Sequence, residues 1–267
     1  ERLVEHHVAQ GTDAIVSVGT TGESATLDHG EHGEVIKRTV KAVAGRIPVI
    51  GGTGSNSTEE TIVMTRSAQE AGVSACLLVV PYYNKPPQEG LYQHFRSIAE
   101  AVAVPQILYN VPGRTGVDMD NDTTLRLSEI DNIVGIKDAT NDLDRGADLI
   151  KRTANNFAVY SGEDGTACGL MLAGGQGTIS VTANAAPRLM HEMCTAAVRG
   201  DKETALQVDG QLRDLHTAMF VQSNPIPAKW AVSQQGLIGA GIRLPLIELD
   251  SSYHDTVKAA MTIAGVL

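Results

Sequence analysis

The feature that most constrains the fold is a repeated alternation between short apolar runs and longer amphipathic stretches. The apolar runs are rich in β-branched residues and nearly continuous in hydrophobicity, which is typical of strands buried on both faces of a parallel sheet. Seven such runs follow one another: AIVSVG from Ala14, PVIGGTG from Pro48, ACLLVVP from Ala75, PQILYN from Pro105, IVGIKDA from Ile133, FAVYSGE from Phe157 and GTISVTAN from Gly177. This spacing predicts an α/β barrel with parallel strands.

The stretches between the runs carry helix signals. EHGEVIKRTVKAVAG and TEETIVMTRSAQEAG are amphipathic, and the second is preceded by a capping-box pattern over Ser57 to Glu60 and closed by Gly72. Beyond Asn184 three or four further helices are expected, without a Ser/Gly-rich linker, in the segments PRLMHEMCTAAVRG, DKETALQVDGQLRDLHTAMF, NPIPAKWAVSQQG and SSYHDTVKAAMTIAG. We therefore predict a barrel over residues 1–200 and an appended C-terminal helical subdomain over residues 201–267.

The number of strands is seven, whereas the common barrel of this kind has eight. The first residues, ERLVEHHVAQG, look like the inside of a helix that would follow a first strand. We expect one strand and its loop to precede residue 1 in the complete protein, which would make a (β/α)8 TIM barrel whose first strand is missing here. A closed seven-stranded barrel is the less common alternative.

Composition excludes several function classes. The formal net charge is −10 and no basic patch is evident, so nucleic-acid binding is not expected. No apolar stretch reaches membrane-spanning length. Cys76, Cys168 and Cys194 form no C-x-x-C pair, which suits a reducing cytoplasm better than a disulfide framework. We find no metal-ligand spacing, and on sequence alone His29 and His32 are expected on a solvated polar face.

Lys137 is the first candidate for chemistry, because it lies inside the apolar run IVGIKDA. Functional groups of such barrels come from the carboxyl ends of the strands. A lysine buried in a strand is costly to keep as a cation, and a neutral amine can attack a ketone to form an imine. The alternative is a strand-end lysine paired with the neighbouring carboxylate of Asp138.

Other strand ends carry further polar residues. Thr20 and Thr21, in a glycine-containing turn, are suited to binding a carboxylate or relaying a proton, or else to a plain turn and helix cap. Tyr109 can exchange protons, and Arg114 in the next loop can grip a carboxylate with two hydrogen bonds. A core tyrosine and a solvated arginine are the alternatives. Two adjacent tyrosines, Tyr82 and Tyr83, more often pack an interface than perform chemistry.

Taken together, seven motifs in order resemble the dihydrodipicolinate synthase family of pyruvate-dependent class I aldolases: GTTGESATL, PYYNKPPQEGLYQHF, YNVPGRTG, GIKDAT, SGEDGT, GTISVTAN and SNPIPAKWA. The resemblance runs from the first residues to the last helix. It implies a (β/α)8 barrel with a C-terminal helical subdomain, assembled as a homotetramer of two tight dimers. It also implies a lyase that condenses pyruvate with L-aspartate 4-semialdehyde in the first committed step of lysine and diaminopimelate biosynthesis, with no metal or organic cofactor.

The resemblance assigns catalytic roles to four residues. It implies that Lys137 forms the imine with pyruvate and that Tyr109 moves protons at this imine. It further implies that Thr21 relays protons and helps Thr20 to hold the pyruvate carboxylate. The fourth catalytic residue, Tyr83, is expected to reach the site of a neighbouring subunit.

The resemblance also implies residues that bind ligands. Arg114 matches the arginine that binds the carboxylate of the semialdehyde, and Gly162 and Ile179 match positions lining the pyruvate pocket, Ile179 through its backbone carbonyl. An inhibitory L-lysine site at the dimer interface is implied for Ser24, Ala25, His29, His32, Asn56, Glu60 and Tyr82.

Two alternatives to this function stay open. N-acetylneuraminate lyase and 2-keto-3-deoxy sugar-acid aldolases share the lysine and the strand-end tyrosine but normally lack an arginine at the position of Arg114. A non-catalytic ligand-binding barrel is the other alternative, against which the intact set Lys137, Tyr109, Thr21 and Tyr83 argues.

Overall fold

The computed structural model describes residues 1–154 and 156–267 and shows an α/β protein built on one curled parallel sheet. The strands are hydrogen-bonded in chain order, and each strand is parallel to its neighbours. They are β1 (Ile15–Ser17), β2 (Val49–Gly52), β3 (Ala75–Val79), β4 (Gln106–Asn110), β5 (Ile133–Asp138), β6 (Ala158–Ser161) and β7 (Gly177–Thr178).

All seven predicted runs contain a strand, so the predicted α/β class with parallel strands is confirmed. The run GTISVTAN keeps only two residues in β7, because its later residues turn into a short 3₁₀ helix at Thr182–Asn184. Within the described residues, β1 and β7 each pair with a single neighbouring strand. Over residues 1–154 and 156–267 the sheet therefore has seven strands, with β1 and β7 at its edges.

Helices connect the strands and continue after them. They are α1 (Arg2–Ala9), α2 (His29–Val43), α3 (Thr58–Glu70), α4 (Gln88–Ala101), α5 (Pro112–Thr115), α6 (Asn121–Ser128), α7 (Leu143–Arg152), α8 (Asp164–Leu172), α9 (Pro187–Val198), α10 (Lys202–Ala218), α11 (Ile226–Gln234) and α12 (His254–Ile263). The two predicted amphipathic helices correspond to α2 and α3, and the four predicted C-terminal segments correspond to α9, α10, α11 and α12.

The start of α3 corrects one detail of the sequence analysis. Ser57 is the N-cap, and its hydroxyl accepts a hydrogen bond from the backbone N–H of Glu60 at 3.4 Å. The reciprocal half of a capping box is not formed, because the Glu60 carboxylate contacts His29 and Ser55 instead. At the other end, Gly72 has φ of +89° and ends the helix as predicted.

In the described part of the chain, apolar side chains form three clusters. The largest fills the space between the sheet and its helices, with Phe95, Ile98 and Leu108 fully buried. A smaller cluster on the inner face of the sheet includes Tyr109 and Ile179. The third joins α8 and α9 to α10, α11 and α12 and so crosses residue 200. The domain boundary at residues 200 and 201 stays a prediction.

Two further observations concern the hydrophobicity of the helices and the state of the cysteines. In the part of the chain that the structure describes, no helix combines the length and apolar character needed to cross a membrane. Cys76, Cys168 and Cys194 are free thiols, and burial raises the pKa of Cys76 to about 11.

Candidate active site

Three neighbouring strands bring their side chains together in one row. Tyr109 of β4 pairs in register with Lys137 of β5, which pairs in register with Tyr160 of β6. Residues in register on adjacent strands share a face of the sheet, and successive residues of a strand alternate between faces. Lys137 therefore lies between two tyrosines, while Asp138 belongs to the opposite face.

Lys137 is buried, with only 8% of its surface exposed, and its Nζ lies 4.1 Å from the centroid of the Tyr109 ring. The neighbouring Asp138 carboxylate accepts a hydrogen bond from the Thr140 hydroxyl at 2.6 Å and one from Asn110 Nδ2 at 3.5 Å. Among the ion pairs of the described residues, none includes Lys137. A lysine held by Asp138, the alternative left open by the sequence, is therefore not what the structure shows.

Gly162 explains how the lysine side chain fits beside β6. A Cβ atom at this position would lie 2.9 Å from Lys137 Cε and 2.7 Å from Ala139 Cβ. These distances are shorter than van der Waals contact, so a residue larger than glycine would force Lys137 or Ala139 to shift. Ile179 follows β7, where its backbone N–H donates to the Ser161 carbonyl at 2.9 Å.

An open cavity of about 1570 Å³ collects most of the predicted site residues. Of the eight residues predicted for catalysis and substrate binding, seven line this cavity: Thr20, Thr21, Tyr109, Arg114, Lys137, Gly162 and Ile179. Residues so distant in sequence meet because the carboxyl ends of parallel strands lie at one edge of the sheet.

Tyr83 is the predicted residue that the structure does not bring to this cavity. Its side chain is 88% exposed, and its backbone has φ of +74°, in the left-handed region. Its backbone N–H contacts the Thr115 carbonyl at 3.4 Å, which anchors the turn beside the loop that carries Arg114. Tyr83 thus projects from the surface of the chain.

The threonine loop, which we define as residues 19–26, follows β1. Thr20–Gly22 and Ser24–Thr26 form two 3₁₀ turns joined by Glu23. Asn224 Nδ2 donates a hydrogen bond to Thr21 Oγ1 at 3.0 Å, and Arg114 Nη2 donates to the Asn224 carbonyl at 3.1 Å. The buried Asn224 therefore links the threonine loop to the arginine loop, a role that the motif SNPIPAKWA did not disclose.

Two other cavity residues were missed by the sequence analysis. Tyr160 was treated only as part of a strand, and burial raises the pKa of its hydroxyl. Glu163 is half-buried, and its pKa is raised by burial and by Asp164, against the opposing effects of Lys137 and Arg114. Both lie at the carboxyl end of β6, the position that had drawn attention to Tyr109 and Lys137.

A second group of polar residues lies beside the threonine loop, and we define it as the histidine cluster: Ser24, Ala25, His29, His32, Asn56, Glu60 and Tyr82. All of these except Asn56 line the same open cavity, and Asn56 Nδ2 donates to the Tyr82 carbonyl at 3.1 Å. The structure thus brings the predicted lysine-binding residues together.

Hydrogen bonds fix the two histidines of this cluster. His29 Nε2 lies 2.6 Å from Glu60 Oε1, and His32 Nε2 donates to the Gly52 carbonyl at 2.7 Å. The Ser55 hydroxyl is the largest influence lowering the pKa of Glu60, with a further contribution from His29, while burial lowers the pKa of His32. Within the described residues, no group of three or more His, Cys, Asp or Glu side chains could hold a metal ion.

The chain is similar to known proteins along nearly its whole length. The model of a family described as the dihydrodipicolinate synthetase family matches residues 1–264. A 4-hydroxy-tetrahydrodipicolinate synthase of Ectopseudomonas mendocina (strain ymp) is 61% identical over 266 residues, covering 100% of this chain and 91% of that protein.

Solved structures give the same result. The chloride-inhibited dihydrodipicolinate synthase from Acinetobacter baumannii, complexed with pyruvate, superposes with a TM-score of 0.98 at 55% identity, covering 99% of this chain and 91% of that one. The enzyme from Cyanidioschyzon merolae with lysine bound has a TM-score of 0.96 at 42% identity, covering 99% and 90%.

Proposed function

Because the chain belongs to the dihydrodipicolinate synthetase family, we propose that it acts as a 4-hydroxy-tetrahydrodipicolinate synthase. It would condense pyruvate, bound as an imine on Lys137, with L-aspartate 4-semialdehyde, which is the first committed step of lysine and diaminopimelate biosynthesis. The observation that carries this proposal is the buried Lys137, set between Tyr109 and Tyr160 in an open cavity and without a carboxylate partner among the described residues.

The proposed chemistry begins with nucleophilic attack of the Lys137 amine on the keto carbon of pyruvate. Loss of water gives a protonated imine, which withdraws electrons from the methyl group. Loss of a methyl proton yields an enamine, whose carbon attacks the aldehyde of the second substrate. The amino group of the adduct then attacks the imine carbon, closes the ring and releases Lys137. The lysine supplies the electron sink, so we propose that the reaction uses no metal or organic cofactor.

Tyr109 and Thr21 are the proposed proton-transfer groups at this imine. The contact between the Tyr109 ring and Lys137 Nζ supports the first assignment, because a general acid or base must lie within reach of the reacting atoms. Thr20 and Thr21 would bind the pyruvate carboxylate with their hydroxyls, and both line the cavity. Gly162 and Ile179 would form the pocket wall, Ile179 through its carbonyl.

Arg114 is the proposed site for the carboxylate of the semialdehyde. It lines the cavity from the loop after β4, and its contact with the Asn224 carbonyl holds it toward the threonine loop. A guanidinium matches a carboxylate with two parallel hydrogen bonds, which neutral hydroxyl groups of a sugar-acid chain cannot offer. Arg114 therefore favours the semialdehyde over the sugar acids of related aldolases.

Tyr83 is proposed to act in the site of a second copy of the chain. Its 88% exposure and its absence from the cavity of its own chain, within the described residues, support this assignment. The active unit would then be a dimer, and two dimers would form a homotetramer. The curled sheet and the helices around it support the finer fold assignment, a (β/α)8 barrel with a C-terminal helical subdomain.

L-lysine is the proposed inhibitor, bound by the histidine cluster. An amino acid needs partners for an ammonium group and a carboxylate, and the cluster offers the Glu60 carboxylate, His29 and Asn56. The cytoplasm is the proposed location of the reaction, and the three free thiols are in keeping with a reducing compartment.

The decisive experiment combines imine trapping with turnover. Borohydride reduction in the presence of pyruvate should add one reduced pyruvate to Lys137, and a coupled assay should show consumption of aspartate semialdehyde. Lys137→Ala should abolish both signals, with Lys151→Ala, a change in the solvent-exposed end of α7, as the matched control. An adduct on another lysine, or an adduct with no turnover of the semialdehyde, would contradict the proposal.

A further inference from the structure

Glu23 occupies an unusual backbone conformation in the middle of the threonine loop. It has φ of +57° and ψ of 32°, in the left-handed region, although it carries a side chain. Residues other than glycine pay a conformational cost there, and such positions persist only where the surrounding contacts fix them. The contacts of the Glu23 side chain therefore stabilise this conformation of the loop.

Two groups from the C-terminal part of the chain hold the Glu23 carboxylate. Lys229 Nζ of α11 forms an ion pair with Glu23 Oε2, and the backbone N–H of Arg243 donates to Glu23 Oε1 at 2.8 Å. Only 16% of the Glu23 side chain and 25% of the Lys229 side chain are exposed. Burial alone would raise the pKa of Glu23, but the Arg243 amide and Lys229 outweigh it and lower this pKa.

The side chain of Arg243 also contacts the C-terminal end of the threonine loop. The Arg243 guanidinium donates to both carboxylate oxygens of Glu31 at 2.7 Å and 2.9 Å, and to the Thr26 carbonyl at 3.2 Å. Glu31 lies in the first turn of α2, directly beyond the loop. We define the Glu23 clamp as Glu23, Lys229, Arg243 and Glu31.

The clamp lies next to the threonines assigned to pyruvate. Glu23 is two residues from Thr21, and its backbone N–H donates to the Thr20 carbonyl at 3.1 Å. The loop therefore cannot rotate about Glu23 without moving both hydroxyls. A displacement of about 1 Å in a group that positions a substrate can cost on the order of 10²-fold in rate.

We propose that Glu23 is a positioning residue, which through Lys229 and Arg243 sets the threonine loop in the conformation that binds pyruvate. This inference rests on the proposed function, because it takes Thr20 and Thr21 as the pyruvate-carboxylate site. A partly desolvated ion pair suits this task, because removal of one partner leaves the other charge unpaired next to the loop. The clamp acts on pyruvate rather than on the semialdehyde, whose carboxylate is assigned to Arg114.

The test compares Glu23→Gln, Lys229→Met, the double variant and Lys229→Arg in the full-length protein. Glu23→Gln and Lys229→Met should each raise the KM for pyruvate about ten-fold or more, with less than about a two-fold change in the KM for the semialdehyde. The double variant should be no worse than the worse single variant, because both changes break one pair. Lys229→Arg keeps the charge and should restore most of the pyruvate affinity.

Arg38→Met is the matched control, because it breaks the Glu34–Arg38 pair of α2, whose side chains are 76% exposed at Arg38 and 54% exposed at Glu34. It should leave both KM values at the wild-type level. Thermal unfolding, measured for every variant, identifies variants that do not fold. If Glu23→Gln does not fold, Lys229→Met and Lys229→Arg carry the comparison.

Three outcomes decide the matter. Folded Glu23→Gln or Lys229→Met protein with the wild-type KM for pyruvate would overturn the inference, even if its melting temperature is lower. Equal increases in the KM values for both substrates would also overturn it, since the clamp would then act on the fold as a whole. A wild-type protein that fails to trap pyruvate would instead overturn the proposed function, so the two failures are distinguishable.

Discussion

Replacing Gly162 with alanine tests the geometry of the lysine site most directly. The added Cβ would lie 2.9 Å from Lys137 Cε and 2.7 Å from Ala139 Cβ, whereas ordinary contact begins near 3.4 Å. The lysine stem, the alanine or the backbone of β6 must therefore move by about half an ångström or more. Forcing a methyl group into a packed site typically costs about 1–3 kcal/mol of stability.

The effect on catalysis should exceed the effect on stability. Lys137 is the nucleophile in the proposed reaction, and the methyl group would contact Cε, the carbon atom that bears the amine. Misplacement of a reacting group by about 1 Å costs on the order of 10²-fold, so imine formation should slow by about 10-fold to 100-fold. Time-resolved borohydride trapping with pyruvate measures this rate, and thermal unfolding measures the stability separately.

Gly165→Ala provides the control for this experiment. Gly165 lies three residues further along, in the first turn of α8, and a Cβ atom there would meet nothing within 4 Å. This change should leave imine formation unaltered and stabilise the helix by up to about 1 kcal/mol. A wild-type trapping rate in Gly162→Ala would refute the packing argument, as would equal losses in the two variants.

The remaining predictions concern the other assigned residues. Thr21→Val should lower kcat more than Thr20→Val does, since Thr21 is the proposed relay; the reverse order would move the relay to Thr20. Tyr83→Phe should reduce turnover without changing the dissociation of subunits measured by ultracentrifugation, and unchanged turnover would remove Tyr83 from the catalytic set. Glu60→Gln should weaken inhibition by lysine in initial-rate titrations, and a flat wild-type response to millimolar lysine would refute the proposed lysine site. Burial raises the pKa of Glu163, so its ionisation opposes folding as the pH rises above about 4.5. The difference in melting temperature between Glu163→Gln and the wild type should therefore increase in favour of the variant from pH 4.5 to pH 7. A difference that stays constant over this range would contradict a raised pKa of Glu163.

Local sequence patterns predict most of the strands and helices of this protein. Runs such as ACLLVVP and IVGIKDA are apolar over the length of one strand, so each contains a strand at the predicted place. The start of α3 shows where a prediction from local sequence fails. Ser57 caps the helix as predicted, but the Glu60 carboxylate contacts His29, a residue 31 positions away, and the Ser55 hydroxyl instead of the backbone N–H of Ser57. The capping-box pattern holds no information about that partner.

The residues that form the cavity were predictable because each of them lies at or just after the carboxyl end of a predicted strand, although they are far apart in sequence. Thr20, Tyr109 and Lys137 each stand at the carboxyl end of an apolar run, and parallel pairing brings such ends to one edge. Tyr160 and Glu163 satisfy the same rule and were missed only because their run was treated as a strand.

The contacts that hold the site in shape could not be predicted in this way. Asn224 contacts Thr21 across 203 positions of sequence, and Lys229 contacts Glu23 across 206. Neither Asn224 nor Lys229 stands out locally, since an asparagine before a proline and a lysine on a helix are both ordinary. Their partners become evident only when the C-terminal helices are packed against the end of the sheet.

These long-range contacts connect the C-terminal part of the chain to the loops of the cavity. Asn224 holds the hydroxyl of Thr21 and the guanidinium of Arg114, which are assigned to the two different substrates. Lys229 and the Arg243 amide hold the loop that carries the threonines. Asn224 and Lys229 both lie in the region after residue 200, so this region positions the loops that are assigned to the two substrates. In the proposed reaction the strands would supply the nucleophile, and the C-terminal segment would fix the loops that present the substrates to it.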